Sequence, residues 1–167
     1  MEYKLPTLKN EKDIEEYLQE HFLNGEHDII ICQDLFIEDS IKWVCQMQKN
    51  ACNGNDDWGK SLLLLSYDNS RLIGILCIRY DLTQELQAKY GNIGYSVRPS
   101  ERKKGYATQM LQYALKVCKE KGMTRVILGC HSDNIASASV IKKCGGILID
   151  MVEESTEIIN YFFEIKI

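Results

Sequence analysis

Val97-Arg98-Pro99-Ser100-Glu101-Arg102-Lys103-Lys104-Gly105-Tyr106-Ala107 is the stretch on which the reading of this chain turns. It follows a short apolar run, Ile93 to Val97. It precedes a segment in which Ala107, Met110, Leu111, Ala114, Leu115 and Cys118 recur at helical spacing and share one face. Lys119, Glu120 and Lys121 make a polar end, and Gly122 stops the helix. The order is strand, basic glycine-containing turn, helix N-terminus. Such a junction gathers unpaired backbone N–H groups, the positive end of a helix dipole and cationic side chains, a combination suited to a phosphate or pyrophosphate. Gly105, lacking a Cβ, lets phosphates approach the backbone closely. The plain alternative is a basic helix start that faces water.

Neither a G-x-x-x-x-G-K-[ST] loop nor a G-x-G-x-x-G fingerprint occurs. The pattern present is Arg102-x-x-Gly105-x-Ala107. It resembles the pyrophosphate loop of the GNAT superfamily, the acyl-CoA-dependent N-acyltransferases. A second segment agrees with it. Arg125 to Cys130 reads as a buried strand, and the helix that follows is N-capped by Asn134 and ended by Gly145-Gly146. Asn134, Ser137, Lys143 and Gly145 fall in register with the superfamily's other signature. The resemblance runs over residues 61 to 167 and more weakly over the whole chain, and Gly91 to Arg102 is similar to a bacterial branch of predicted acetyltransferases. Two positions depart from the pattern. Ile141 stands where relatives often carry a proton-donating tyrosine, and Gly146 stands where they carry an aromatic.

The resemblance implies an α/β fold, a three-layer α/β/α sandwich on a mixed, mostly antiparallel central sheet, with residues 1–167 as a single domain. It implies acetyl-CoA as acyl donor and a small-molecule or peptide primary amine as acceptor, attacked directly in a ternary complex. The strands flanking the loop would splay and receive the pantetheine arm like an added strand. Backbone N–H groups from Lys103 through Gly105, Tyr106 and Ala107 to Thr108 would hold the pyrophosphate, with charge from Arg102 and Lys104. Asn134 and Ser137 would meet the arm, and Lys143 the nucleotide end. A backbone N–H at Ser96 or Val97 would face the thioester oxygen. For proton transfer, the stretch 92–97 offers no carboxylate. Tyr95 and Tyr161 are the candidate acids, each also readable as a packed strand aromatic. Glu153 and Glu154 read as a solvated strand end, the alternative being a contact with a cationic substrate. The missing tyrosine and carboxylate keep a second function open, a non-catalytic acyl-CoA-binding sensor or regulatory module. Relatives often form homodimers, and no residue here decides that.

Composition sets the outer bounds. A chain of 167 residues suits one domain with a full core. The net charge of −4 argues against nucleic-acid binding by bulk electrostatics and leaves the basic turn as a local feature. Seven cysteines show no C-x-x-C and no metal spacing with histidine, so they read as small buried hydrophobes in a reducing compartment and no metal is expected. Cys130-His131 is adjacent on a strand and points to opposite faces. No signal peptide and no long apolar span is present, so the chain reads as cytoplasmic, with no membrane partner. The remaining pattern predicts a strand within 1–8, helices over 10–23 and 37–52, a loop over 24–37, and a turn at 53–57. Beyond these it predicts a hairpin of 61–67 with 72–80, helical turns in 82–90, and final strands over 147–154 and 157–167. Ile14, Tyr17, Leu18 and Phe22 are the predicted buried face of the first helix, and Trp43 and Trp58 the packing anchors.

Overall fold

The computed structural model describes residues 1–27, 29, 40–54, 59–153 and 159–167. Along these residues run β1 (Glu2–Lys4), α1 (Glu11–Leu23), α2 (Ser40–Cys52), β2 (Ser61–Asp68), β3 (Arg71–Arg79), α3 (Gln84–Tyr90) and β4 (Ile93–Val97). They continue as α4 (Tyr106–Glu120), β5 (Arg125–His131), α5 (Ile135–Lys143), β6 (Ile147–Glu153) and β7 (Ile159–Lys166). The predicted elements are present with small shifts at their ends. The first strand is shorter than 1–8, because Pro6 has no N–H to give a ladder. Most of the loop 24–37, most of the turn 53–57, and Cys32, Trp58 and Glu154 lie outside the described residues.

The strands form two sheets, β1-β2-β3-β4 and β5-β7-β6, and every ladder among the described residues is antiparallel. The expected central sheet is therefore split between β4 and β5. Those two strands, joined by the α4 crossover, are bonded at one end through Asn92. Its N–H donates to the Ile127 carbonyl (2.6 Å), and its Oδ1 accepts from the Ile127 N–H (2.8 Å). No further ladder joins them among the described residues, so β4 and β5 are each the edge of a sheet.

Helices cover both faces. α1 and α2 pack on β3 and β2, burying Ile14, Tyr17, Leu18, Trp43 and Val44 against Leu63, Leu65 and Ile75. α4 packs on β3 and β4 from the other side. Met110, Leu111, Ala114 and Cys118 join Leu76, Ile78, Val126, Leu128 and Phe163 there. Burial on both faces explains why β2 and β3 read as near-continuous apolar runs rather than alternating ones. α4 can come this close because β3 carries Gly74, where a Cβ would lie 2.5 Å from the Ser96 carbonyl oxygen and 2.9 Å from the Met110 sulfur.

Two expectations change. His21, not Phe22, completes the buried face of α1. Of the six described cysteines, Cys77 and Cys118 are buried, while Cys45 and Cys52 are exposed, because the α2 positions that carry them turn away from the sheet. β6 is exposed along its whole length, with Ile147, Ile149 and Met151 in solvent. Among the described residues, no helix is long and apolar enough to cross a membrane, and no group of His, Cys, Asp and Glu is placed to hold a metal ion.

Candidate active site

A cleft of about 860 Å³ opens at the end of β4, on the side where β4 has parted from β5. The end of β4 (Tyr95, Ser96, Val97), the basic turn with the start of α4 (Arg102, Lys103, Gly105 to Thr108) and the start of α5 (Asn134, Ser137) line it, as do His21 in the last turn of α1 and Glu26 and His27 just beyond it. Among the residues singled out in the sequence, Lys104, Lys143 and Tyr161 are not part of this lining. Lys143 is exposed in the last turn of α5, and Tyr161 packs beside the core on β7.

The turn leaves room and free donors at the start of α4. Gly105 takes φ 85°, a left-handed conformation, directly before α4, and no atom lies within 4 Å of where its Cβ would be. No side chain caps α4, so its first N–H groups are left to a ligand or to water. The charge around it differs from the sequence reading. Arg98 is buried, donating from Nε to the Leu72 carbonyl (2.7 Å) and from a terminal nitrogen to Glu20 (2.9 Å). Arg102 makes a bidentate pair with Glu26 and donates from Nε to the Val97 carbonyl (3.1 Å). Lys104 pairs with Glu101 (2.8 Å). Glu20 and Glu26, distant in sequence, thus neutralise Arg98 and Arg102, the neighbouring Glu101 neutralises Lys104, and among the described residues Lys103 is the cation of this turn with no ion pair. Burial pushes the Glu20 carboxyl up, but hydrogen bonds from Ser100 and Arg98 overcome it and hold it at about 2. Glu26 is held at about 2 by Arg102 against its burial, with help from His21 and Asn24.

β4 sends three consecutive residues three ways. The Tyr95 hydroxyl meets the Ser137 hydroxyl (3.1 Å) on the α5 side, and burial raises Tyr95 to about 12, so it stays a protonated phenol. The Ser96 hydroxyl meets that of Tyr17 (2.7 Å) on the α1 side. The Arg98 N–H donates to the Ile73 carbonyl of β3, so by strand alternation the Ser96 amide also faces β3 and the Val97 N–H faces the cleft. This removes the Ser96 N–H from the candidate oxyanion donors and leaves that of Val97. At α5, Asn134 Oδ1 accepts from the Ser137 N–H (3.0 Å), which fixes the helix start beside the cleft and leaves the Asn134 amide NH₂ without a partner among the described residues.

The sequence reading missed His21 and Glu26. His21 is 1% exposed and its Nδ1 lies 2.7 Å from Glu26 Oε2. Burial lowers its pKa below the usual value, and the field of Arg102 adds to this, while Glu26 and Glu20 oppose it. The available signal was spacing, since 14, 17, 18 and 21 form one helical face as well as 14, 17, 18 and 22 do. A polar residue in that register marks a buried polar function.

The whole architecture has known counterparts. No curated protein sequence matches this chain. Among solved structures, the microcin C7 self-immunity acetyltransferase MccE, in complex with acetyl-CoA and AMP, matches with TM-score 0.75 at 17% identity over 99% of this chain and 91% of that one. An acetyltransferase of the GNAT family from Streptococcus pneumoniae matches with TM-score 0.71 at 17% identity over 99% of both chains. RimL, a ribosomal L7/L12 α-N-protein acetyltransferase in complex with coenzyme A, matches with TM-score 0.71 at 14% identity over 99% of this chain and 93% of that one. At these identities the likeness shows the fold. The family follows from sequence, since the family model for the GNAT acetyltransferase domain spans residues 2–147 and with them the loop, the splayed strands and the start of α5, and the chain belongs to the GNAT acetyltransferases.

Proposed function

We propose that this acetyltransferase moves an acetyl group from acetyl-CoA to a primary amine by direct attack in a ternary complex. The observation that carries the reading is the cleft beside the end of β4, which ends on an uncapped helix start with open space over Gly105. A diphosphate fits that end, and an extended arm fits beside the free edge of β4. The N–H groups from Lys103 to Thr108 bind the diphosphate, with Lys103 supplying charge and Arg102 adding its own once released by Glu26. The Thr108 hydroxyl is close enough in sequence to take part. Asn134 and Ser137 orient the arm through polar side chains at the start of α5. The Val97 N–H stabilises the oxyanion as the amine adds to the thioester carbon, a contribution of about 3 kcal/mol for such a donor in the transition state. Tyr95, kept protonated, donates toward the leaving thiolate.

The acceptor is a small-molecule or peptide amine. It enters from the α1 side, where His21, Glu26 and His27 line the cleft. RimL, named for a protein α-amine, and a spermidine N-acetyltransferase chimera from Vibrio cholerae and hSSAT, at TM-score 0.67, share the fold and illustrate both acceptor classes. Calorimetric titration with acetyl-CoA, with ATP as control and followed by thiol release over a panel of amines, tests the reading. Micromolar binding of acetyl-CoA but not ATP, with amine-dependent thiol release, is the expected result. Tight binding without release over the whole panel assigns the sensor function instead, and no binding overturns the site.

A further inference from the structure

Two of the chain's three histidines line one end of the cleft, and the imidazole of His21 is oriented in a particular way. Glu26 is a carboxylate and has no hydrogen to give, so at the 2.7 Å contact His21 Nδ1 is the donor. The ring is neutral at neutral pH, because burial holds its pKa down. A neutral ring with its hydrogen on Nδ1 carries a lone pair on Nε2. That atom is buried and has no hydrogen-bond partner. A buried acceptor without a partner is costly and uncommon. Here it belongs to a side chain 1% exposed on a residue that lines the cleft at the end where the amine enters, so Nε2 meets the substrate only once the arriving amine parts the wall over it.

Its neighbours tie it to the reacting centre. The His21 ring packs on Tyr17 with centroids 4.6 Å apart, and the Tyr17 hydroxyl bonds the Ser96 hydroxyl at 2.7 Å. Ser96 directly precedes Val97, whose N–H faces the cleft. His21 is therefore one aromatic ring away from the strand that faces the thioester, and β4 itself carries no carboxylate and no histidine. On the basis of the amine-acetylation reading above, we propose that His21, oriented by Glu26, is the catalytic base that takes the proton from the substrate ammonium.

The step balances. Nε2 accepts one proton from the ammonium, and the imidazolium formed is held by Glu26. The freed nitrogen pair forms the C–N bond at the thioester carbon, and the C–S bond breaks. Tyr95 gives its proton to the thiolate to form the free thiol, the second nitrogen proton restores Tyr95, and His21 returns its proton to solvent. The charged groups that face His21 are Glu26 in the turn after α1, Glu20 on α1 and Arg102 on the phosphate turn, with Arg98 over the ring of Tyr17. The acid limb of the rate profile belongs to His21 and lies below its ordinary value near 6.5.

Two readouts test this. The first is ¹⁵N NMR of the imidazoles in the unliganded wild-type protein at neutral pH, with His21 assigned by substitution. A protonated Nδ1 and a bare Nε2 are expected, and a hydrogen on Nε2 overturns the proposal without reference to turnover. The second is steady-state kinetics with acetyl-CoA and an amine that the wild type accepts. His21→Gln is expected to lower kcat about 100-fold or more with little change in the KM for acetyl-CoA. Glu26→Gln, at a part-exposed site less prone to misfold, is expected to lower kcat by a smaller factor and to move the acid limb to lower pH. A folded His21→Gln protein with wild-type kcat and an unchanged acid limb overturns the base assignment alone. A wild type that binds acetyl-CoA yet acetylates no amine overturns the proposed function and this step with it.

Discussion

Asn92→Ala tests whether one side chain holds the two sheets together. Asn92 is 2% exposed. Its Oδ1 accepts from the Ile127 N–H (2.8 Å) and from Gln87 Nε2 (2.7 Å), and its Nδ2 donates to the Arg79 carbonyl (3.0 Å). Alanine leaves the Ile127 N–H buried without that acceptor, at about 1–3 kcal/mol, and removes the bond to Arg79, at about 1 kcal/mol. Gln87 is only half-buried and can turn to water. The expected loss is about 2–4 kcal/mol, or roughly 5–12 °C in Tm for a chain of this length. Urea unfolding followed by circular dichroism measures it, with the slope unchanged if the native state is otherwise intact. Asn92→Asp separates the two halves of the argument. It keeps the acceptor for Ile127 and sets an oxygen against the Arg79 carbonyl. Burial raises the folded pKa of that carboxyl. Relative to wild type, the variant is therefore least impaired at low pH, where the acid is protonated and can donate to Arg79, and it loses stability as pH rises toward 7. A cost under about 0.5 kcal/mol for Asn92→Ala, or a pH-independent deficit for Asn92→Asp, would refute the reasoning.

Other perturbations reach the site and the charge network. Gly105→Asp places a carboxylate in open space at the diphosphate end, so acetyl-CoA binding should be lost in calorimetry while the left-handed backbone costs only about 1–2 kcal/mol of stability. Tyr17→Phe removes the hydroxyl bonded to Ser96 but keeps the ring under His21. A drop in kcat with little change in Tm is expected, and an equal loss of both would make Tyr17 a packing residue only. Stability should be acid-labile in two stages, read by thermal unfolding across pH. His21, with a lowered folded pKa, contributes less as pH falls below about 6.5. Glu20 and Glu26 contribute above about 4.5 and lose that contribution as pH falls toward about 2. Tyr95 acts in the opposite sense, its contribution being lost as pH rises from about 10 through about 12.

The fold was legible where periodicity and chain order carry the information. The α4 face, the β2–β3 hairpin, the Asn134 cap and the strand–turn–helix at 97–107 all follow from spacing within a few residues. The charge balance of the phosphate turn was not legible. The sequence offers Arg98, Arg102, Lys103 and Lys104 within seven positions. Whether the two arginines are free depends on Glu20 and Glu26, which lie on and just beyond a helix some eighty positions earlier. The same holds for Asn92. Its type excluded it as a base, but its role depends on Ile127 and Arg79 meeting it from two sheets. Amphipathic spacing finds which residues are buried. It does not find which buried polar group faces which, because that pairing arises only when the helices dock.

The geometry of β4 explains why proton transfer in this chain is assigned to a helix rather than to the strand. A strand alternates its side chains between faces and its amides between edges. Within Tyr95-Ser96-Val97, Tyr95 turns to α5 and Ser96 to α1, and the Val97 N–H takes the free edge. Tyr95 is buried against Ser137 with its pKa raised, which suits a proton donor and not an acceptor at neutral pH. The α1-facing position holds a serine, too short and too weakly basic to take a proton from an ammonium. A base on that side must come from the element packed there, and α1 presents Tyr17 and His21 on the turns nearest Ser96. Glu26, pairing with both His21 and Arg102, then sets two things at once: the tautomer of the imidazole and the charge offered to the diphosphate. In the proposed mechanism those functions compete for one carboxylate, so cofactor affinity and proton transfer would be coupled through Glu26.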